Sequence, residues 1–124
     1  MEKRFFICEH CGNIIVKVRD KGVAVRCCGE KMKEIIPGTS DGAEEKHVPV
    51  YERVEDEIVV SVGEVAHPME KEHFISWVAQ VTDNMTTRVR LYPEQDIAVR
   101  FKYIPGAMIY AYCNKHGLWA KKVD

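Results

Sequence analysis

Four of the five cysteines in this 124-residue chain lie within its first quarter, and this clustering constrains the fold more than any other feature. After them comes a run of turn-forming residues at 37–42 with little apolar content, so we place a domain boundary near Pro37. The preceding residues, 1–36, are too few for an adequate hydrophobic core, and domains of that size rely on a metal or on cross-links. The cysteines therefore predict a small domain that folds around them.

The spacing of these cysteines indicates a metal site. Cys8 and Cys11 form a CxxC pair, in which a tight turn lets two thiolates face one ion. Cys27 and Cys28 are adjacent, whereas a zinc ribbon would repeat CxxC, so we expect a distorted tetrahedral site. Four thiolates suit iron or zinc, and a structural zinc site and a Cys27–Cys28 disulfide are the alternatives. His10 is expected to face solvent, because four cysteines already complete a tetrahedron.

Residues 37–124 show the two-residue apolar period of β-strands. Val89 and Leu91, for example, share a face opposite Arg88 and Arg90. The pattern predicts seven strands, at residues 48–54, 58–62, 74–81, 87–91, 97–103, 108–113 and 118–123. Seven short strands separated by turn signals favour an immunoglobulin-like antiparallel β-sandwich, so the chain is mainly β. We expect little helix beyond a turn near residues 68–71.

Composition excludes several functional classes. A formal net charge of -1 argues against binding to nucleic acid, since such proteins usually carry a basic excess. The apolar run at the amino terminus is too short for a signal peptide or a membrane-spanning helix, so we expect a cytoplasmic protein with no membrane partner. In that reducing compartment, cysteines are more often metal ligands or catalytic thiols than disulfides.

A second group of metal-ligand residues lies in the sandwich region. Cys113 precedes His116 by three residues, and His47, His67 and His73 each lie near the end of a predicted strand. Loop-edge residues of this kind can converge at one end of a sandwich. One thiolate with four imidazoles suits iron, copper or zinc, and five ligands leave one octahedral position open for a small molecule. Zinc sites normally close at four ligands, and the methionine that a blue-copper site needs after its last histidine is absent.

Both groups resemble sites of known families. The pattern CEHCGN followed by CC is similar to a desulforedoxin-type iron centre, over residues 1–36. The segments EKHVPV, VAHPMEKEH and YCNKHGLW resemble three signature segments of superoxide reductases. In this order, the two resemblances cover essentially the whole chain and are those of the desulfoferrodoxin family, the two-iron form of superoxide reductase.

The resemblance implies two iron ions per chain. One is an Fe(Cys)4 centre held by Cys8, Cys11, Cys27 and Cys28, and the other is an Fe(His)4(Cys) centre with His47, His67, His73 and His116 equatorial and Cys113 axial. It implies one-electron reduction of superoxide to hydrogen peroxide at the ferrous His4Cys centre. Rubredoxin or a similar small carrier is the implied electron donor, a homodimer is the implied assembly, and the implied role is oxidative-stress defence in an anaerobe or microaerophile.

Two further residues receive roles from the resemblance. Lys46 precedes a ligand and matches the family's superoxide-attracting lysine, whose ammonium raises the local concentration of the anionic substrate. Glu45 resembles the glutamate that occupies the sixth position once the iron is ferric. The alternatives are that Lys46 is an ordinary solvated lysine and that Glu45 is an ordinary surface carboxylate. For the whole chain the alternatives are an electron-transfer protein that binds no substrate and a zinc-ribbon interaction module.

Overall fold

The computed structural model describes residues 1–39, 42 and 44–124, apart from the side chain of Glu45. These residues form two compact units. One is Lys3–Ile36, and the other combines Met1–Glu2 with Pro37–Asp124. We call them the amino-terminal unit and the sandwich unit.

The amino-terminal unit consists of short antiparallel strands. They are β1 (Phe5–Ile7), β2 (Ile14–Val16), β3 (Arg26–Cys27), β4 (Glu30–Lys31) and β5 (Lys33–Ile35). The first, second and fifth strands form a sheet of order β2-β1-β5, and β3 pairs with β4. Of the described residues in this unit, only Phe5 and Cys8 are buried. A core this small cannot hold the unit together without another source of stability.

Charged side chains supply part of that stability around Phe6. The Arg4 guanidinium and the Lys17 ammonium lie 5.1 and 5.0 Å from the centre of the Phe6 ring. Arg4 also pairs with Asp20 and Glu34, each at 3.0 Å, and Lys17 pairs with Asp20 at 3.3 Å. Surface pairs of this kind contribute only about 0–1 kcal/mol each. They are therefore a supplement to a metal and do not replace one.

The sandwich unit contains seven strands among its described residues, in agreement with the predicted mainly β fold. They follow a short helix, α1 (Glu44–His47), and are β6 (Pro49–Val54), β7 (Glu57–Val62), β8 (Ile75–Val81), β9 (Thr86–Arg90), β10 (Val99–Lys102), β11 (Met108–Cys113) and β12 (Gly117–Lys122). They form an antiparallel three-stranded sheet of order β10-β7-β6 and a four-stranded sheet of order β12-β11-β8-β9.

The core of the unit contains alternating residues of both sheets. Ile58, Val60 and Val62 of β7 belong to the same buried cluster as Ile109 and Ala111 of β11. This alternation follows from the opposite directions of successive side chains along a strand.

Strand β8 departs from the predicted alternation. Every residue of it except Ser76 is buried, because β8 is an inner strand and both of its faces are covered. Val78 belongs to the core cluster, whereas the neighbouring Trp77 points to the opposite face and stacks on Tyr112, with ring centroids 5.7 Å apart. The two-residue apolar period therefore does not describe the burial of β8.

The helical content also differs from expectation. The single turn α1 was not predicted, since four residues are too few to display a helical period. Its turn is closed by a 3.0 Å hydrogen bond from the Val48 N–H to the Glu44 carbonyl. Near residues 68–71, where a turn was expected, Glu70 and His73 exchange backbone hydrogen bonds of 2.9 and 3.2 Å. Within the described part of the chain, no helix has the length and apolar character needed to cross a membrane.

Candidate metal centres

Five potential ligands meet at one end of the sandwich unit. Each comes from a different place in the fold: the end of α1, the loop after β7, the segment before β8, the end of β11 and the turn before β12. In that order, the residues are His47, His67, His73, Cys113 and His116. One ligand atom from each residue lies within 4.8 Å of the others. Antiparallel strands bring these loops together, because β7 and β11 end at the edge of the sandwich where β8 and β12 begin.

The four imidazoles lie at the corners of a square. Adjacent ring centroids are 4.6–4.8 Å apart, with neighbouring ring planes at 74–83° to each other. His47 and His73 are 6.4 Å apart, close to the diagonal of a square with such sides. His67 and His116 therefore occupy the other two opposite corners. This is an equatorial arrangement of four ligands around one centre.

The nitrogen atoms that face the centre follow from the contacts. His116 Nδ1 lies 3.0 Å from His47 Nε2 and 3.2 Å from His73 Nε2. Two ligands at right angles around an ion, with metal–nitrogen bonds of about 2.1 Å, would be separated by about 3 Å. The observed spacings are those of adjacent ligands of one ion.

The backbone carbonyl of the next residue fixes the tautomer of His67, and burial keeps its ring neutral. Its Nδ1 donates a hydrogen bond of 2.7 Å to the Pro68 carbonyl, which leaves Nε2 as the coordinating atom. That Nε2 is buried and has no hydrogen-bond partner among the described residues. Burial lowers the pKa of His67 to about 4, with smaller contributions from the neighbouring histidines. A buried acceptor without a donor needs another partner, and a cation satisfies it.

Cys113 is the most deeply buried of the five potential ligands. It has no solvent exposure, whereas His73 and His116 are half-buried. Its pairing with Ile75 follows a register shift between β11 and β8, an irregularity of the kind that re-aims a side chain near a site. Burial raises the pKa of Cys113, and the backbone N–H groups of Lys115 and His116 oppose that rise by donating to the sulfur. Its thiolate is therefore expected only with a cation bound.

Trp119 supports two of the ligands. Its ring is stacked on His47, with centroids 5.1 Å apart and planes at 27°. Its Nε1–H donates a 2.9 Å hydrogen bond to the His116 carbonyl. Trp119 was not predicted to have a role, although it falls in the segment YCNKHGLW.

Two glycines allow the backbone to approach the site closely. A Cβ on Gly42 would lie 3.1 Å from His47 Cε1 and 3.1 Å from His116 Cβ. A Cβ on Gly63 would lie 2.6 Å from the carbonyl oxygen of Lys46, the residue before His47. Gly63 has a φ of +80°, which also favours glycine. Neither contact could be predicted from the sequence, because Gly42 and Gly63 meet residues that are not their neighbours in the chain.

The two residues predicted beside the ligands are only partly described. Lys46 lies in α1 with an exposed side chain. The backbone of Glu45 lies in the same helix, but its side chain is outside the described part of the molecule.

The second cluster lies in the amino-terminal unit. The sulfurs of Cys8, Cys11, Cys27 and Cys28 lie within 4.8 Å of one another, and Cys11 Sγ is 3.6 Å from Cys27 Sγ. Cys8 is buried, Cys27 is partly buried, and the other two are exposed. His10 is exposed, with its Nε2 3.3 Å from a Glu30 carboxylate oxygen.

Local backbone geometry explains how adjacent cysteines face one centre. The Gly12 N–H donates a 2.8 Å bond to the Cys8 carbonyl and closes the CxxC turn, with Gly12 at a φ of +83°. Cys28 has a φ of +52°, an uncommon value for a residue with a side chain. This left-handed conformation accompanies the convergence of Cys27 and Cys28, whose side chains would point apart in an extended strand.

The pKa values of Cys8 and Cys28 are shifted in opposite directions. Backbone N–H groups of Cys11 and His10 lower the pKa of Cys8 to about 6, the Cys11 N–H contributing most. The neighbouring cysteine side chains, Cys11 first, raise the pKa of Cys28 to about 12. Four thiolates therefore do not coexist without a cation.

Four sulfur donors in this geometry suit iron or zinc, and the four nitrogens with one sulfur in the sandwich unit suit iron.

Comparisons with known proteins find similar chains over most of this sequence. A family model described as desulfoferrodoxin matches residues 39–122. The chain is 41% identical to a desulfoferrodoxin of Syntrophotalea carbinolica, over 93% of this chain and 92% of that protein, and 43% identical to one of Nitratidesulfovibrio vulgaris, over 90% of each. The crystal structure of the superoxide reductase from Treponema pallidum matches with a TM-score of 0.77 and 34% identity, over 98% of this chain and 100% of that one.

Proposed function

Since the chain belongs to the desulfoferrodoxin family, we propose that it is a superoxide reductase that converts superoxide to hydrogen peroxide at the His4Cys cluster of the sandwich unit. The observation that carries this proposal is the square of four imidazoles with a single buried sulfur beside it. Five such donors leave one octahedral position for a small molecule. The Treponema pallidum relative, which covers the chain from end to end, carries superoxide reductase as its name.

The reaction requires one electron and two protons for each superoxide. A ferrous ion held by His47, His67, His73, His116 and Cys113 would supply the electron, and solvent at the half-buried edge of His73 and His116 would supply the protons. The neutral imidazoles add no charge and the thiolate adds one negative charge, so the ferrous site keeps about one positive charge, which attracts an anion.

The chain's own residues prepare this site. The Pro68 carbonyl holds His67 in the tautomer that presents Nε2, and burial keeps that ring neutral. Two backbone N–H groups and full burial would hold the Cys113 sulfur away from solvent, so superoxide would approach from the half-buried edge of His73 and His116. The exposed Lys46 would raise the local concentration of superoxide. Glu45 is proposed, from the family resemblance, as the carboxylate that caps the oxidised site.

The amino-terminal unit would hold the second iron, and residues 1–36 and 37–124 would be two domains. The exposed Cys11 and Cys28 place that site at the surface of its unit, which supports electron delivery by a rubredoxin-like carrier. All five cysteines are free, which supports a cytoplasmic location. A homodimer is proposed from the family resemblance.

Protein purified without oxygen tests the proposal. We expect about two irons per chain, a ferrous form that binds cyanide or azide, and rapid consumption of superoxide. If both irons are present but no anion binds and superoxide persists, the chain is an electron-transfer protein instead. Zinc in the first site and no iron in the second would favour an interaction module.

A further inference from the structure

Asn114 makes three hydrogen bonds to the segment that carries His73. Its Nδ2 donates to the Glu72 carbonyl at 2.9 Å, and its Oδ1 accepts from the Phe74 N–H at 2.9 Å. Its own backbone N–H donates to the Phe74 carbonyl at 3.2 Å. The side-chain amide therefore binds both residues that flank His73 in the chain.

This pattern differs from that of an ordinary turn residue. An asparagine at the start of a turn usually bonds its own backbone two residues on. Asn114 opens the turn between β11 and β12, yet its side chain reaches residues 40 and 42 positions earlier in the chain. The amide thus ties the hairpin that supplies Cys113 and His116 to the segment that supplies His73.

His73 depends on such a tie more than His47 and His67 do. Its ring is half-buried, whereas His47 and His67 are buried, and His47 also stacks on Trp119. It lies in a bent segment just before β8, held by backbone bonds to Glu70. Its Nε2 nevertheless lies 3.2 Å from His116 Nδ1, in place for a shared ion. Fixing the residues on both sides of His73 restricts the direction in which its ring points.

We propose that Asn114 is a positioning residue, which holds His73 in the square of imidazoles by clamping the residues on either side of it. This inference rests on the proposed metal site. Losing an outer partner of a metal ligand typically weakens metal binding by about 10–100-fold. The same loss is therefore expected when the clamp is removed.

Two variants of Asn114 and one control separate this role from general stability. Asn114→Leu keeps a side chain branched at Cγ and removes both side-chain bonds. Asn114→Asp keeps the acceptor for the Phe74 N–H and removes the donor to Glu72. The control is Asn84→Leu, because Asn84 accepts a 3.1 Å bond from Thr82 Oγ1 in the turn after β8, in the same sheet but in another loop.

The test is the Co²⁺ affinity of the sandwich site in the full chain, measured by chelator competition and by the cobalt spectrum of a mixed nitrogen and sulfur site. We expect Asn114→Leu to weaken Co²⁺ binding by about 10–100-fold, Asn114→Asp to weaken it less, and Asn84→Leu to leave it unchanged. In a His73→Ala background, Asn114→Leu should add no further loss, because the ligand it positions is gone.

The proposal would be overturned if Asn114→Leu bound Co²⁺ with native affinity. It would also be overturned if Asn114→Leu lowered the Co²⁺ affinity equally in the native and the His73→Ala backgrounds. If Asn114→Leu does not fold, native affinity and an unchanged cobalt spectrum in Asn114→Asp would overturn it. If His73→Ala itself leaves Co²⁺ binding unchanged, the proposed metal site fails, and the role of Asn114 fails with it. The His73→Ala arm thus distinguishes the two failures.

Discussion

The two clusters differ in how the chain builds them. The four cysteines of the amino-terminal unit lie within 21 consecutive residues, Cys8 to Cys28, and two of them are exposed. The five donors of the sandwich unit span residues 47–116, and three of them are buried. The first unit has almost no core of its own, whereas the second has a continuous one. The first unit therefore depends on a metal in order to fold. In the second unit, the fold itself brings the metal ligands together.

The largest expected effect is the response to metal removal. Structural sites in small domains contribute about 10–16 kcal/mol of apparent binding free energy, most of it folding free energy. A chelator should therefore unfold residues 3–36 and leave the sandwich folded, as followed by the dispersion of amide signals in NMR spectra. If the signals of the sandwich core disappear together with those of Phe5 and Cys8, the two units do not differ in their need for a metal.

Replacing one sulfur in each cluster contrasts their roles. Cys113→Ser removes the only sulfur donor of the sandwich site. Losing a residue that merely hydrogen-bonds to a metal ligand lowers activity by up to roughly 100-fold. Losing the sulfur ligand itself should therefore lower the rate of superoxide reduction by more than that. Cys28→Ser should abolish the four-sulfur spectrum but leave the first turnover of superoxide at its native rate. Stopped-flow measurement of pre-reduced protein checks both variants. Equal losses would mean that both clusters are needed for the chemistry.

The close approach of Gly63 to α1 gives the next effect. Gly63→Ala would place a Cβ 2.6 Å from the Lys46 carbonyl oxygen and should displace His47. Gly106→Ala is the matched control, because Gly106 has a φ of +86° but its added Cβ would meet only the flexible side chain of Met1, at 3.8 Å. Both variants carry the left-handed backbone cost of about 1–2 kcal/mol. Only Gly63→Ala should also weaken Co²⁺ binding, and similar Co²⁺ affinities in the two variants would refute this.

A smaller effect is expected from the charge on Lys46. Lys46→Ala should slow superoxide capture by roughly 10-fold at low ionic strength, and the difference should shrink as salt is added. Lys31→Ala, which removes an exposed cation from β4 of the amino-terminal unit, is the control and should have no effect. Pulse radiolysis measures both rates. A native rate of superoxide capture in Lys46→Ala would show that Lys46 does not steer the substrate.

The smallest effect concerns the charge network around Phe6. The Gly22 N–H, and then Lys17 and Arg4, lower the pKa of Asp20 below its ordinary value. A lowered carboxyl pKa contributes stability above the unfolded value, near pH 4, that is lost as the pH falls through the folded value. Asp20→Asn should therefore lower the melting temperature of the amino-terminal unit at neutral pH, with the difference from the native protein vanishing in acid. A difference that persists at a pH well below the folded pKa of Asp20 would contradict this assignment.

Much of this arrangement could be predicted from sequence because its signals are local. The alternation at Val99 and Phe101 indicates a strand, and the Cys-x-x-His spacing of Cys113 and His116 places two donors together. Other features depend on distant packing. The burial of Ala79 and Gln80 on the two faces of β8 reflects neighbouring elements, and α1 is a single turn whose period cannot be seen.

The supports of the ligands were the hardest to predict. Trp119 and Asn114 fall in a recognised segment, but their contacts with His47 and with the residues beside His73 lie far away in sequence. The close approach of Gly63 to Lys46 is equally invisible in a linear pattern. Residue types thus indicate which donors bind, whereas the fold determines how rigidly they are held.

The most direct test of the account is the product stoichiometry of the pre-reduced Cys28→Ser variant, which keeps only the sandwich cluster intact. The account predicts one hydrogen peroxide for each superoxide in a single turnover, with no oxygen evolved. One hydrogen peroxide for every two superoxides, with release of oxygen, would show dismutation, and no consumption would show that the sandwich cluster does not react. Either result would contradict the claim that four imidazoles and one sulfur form the site of superoxide reduction.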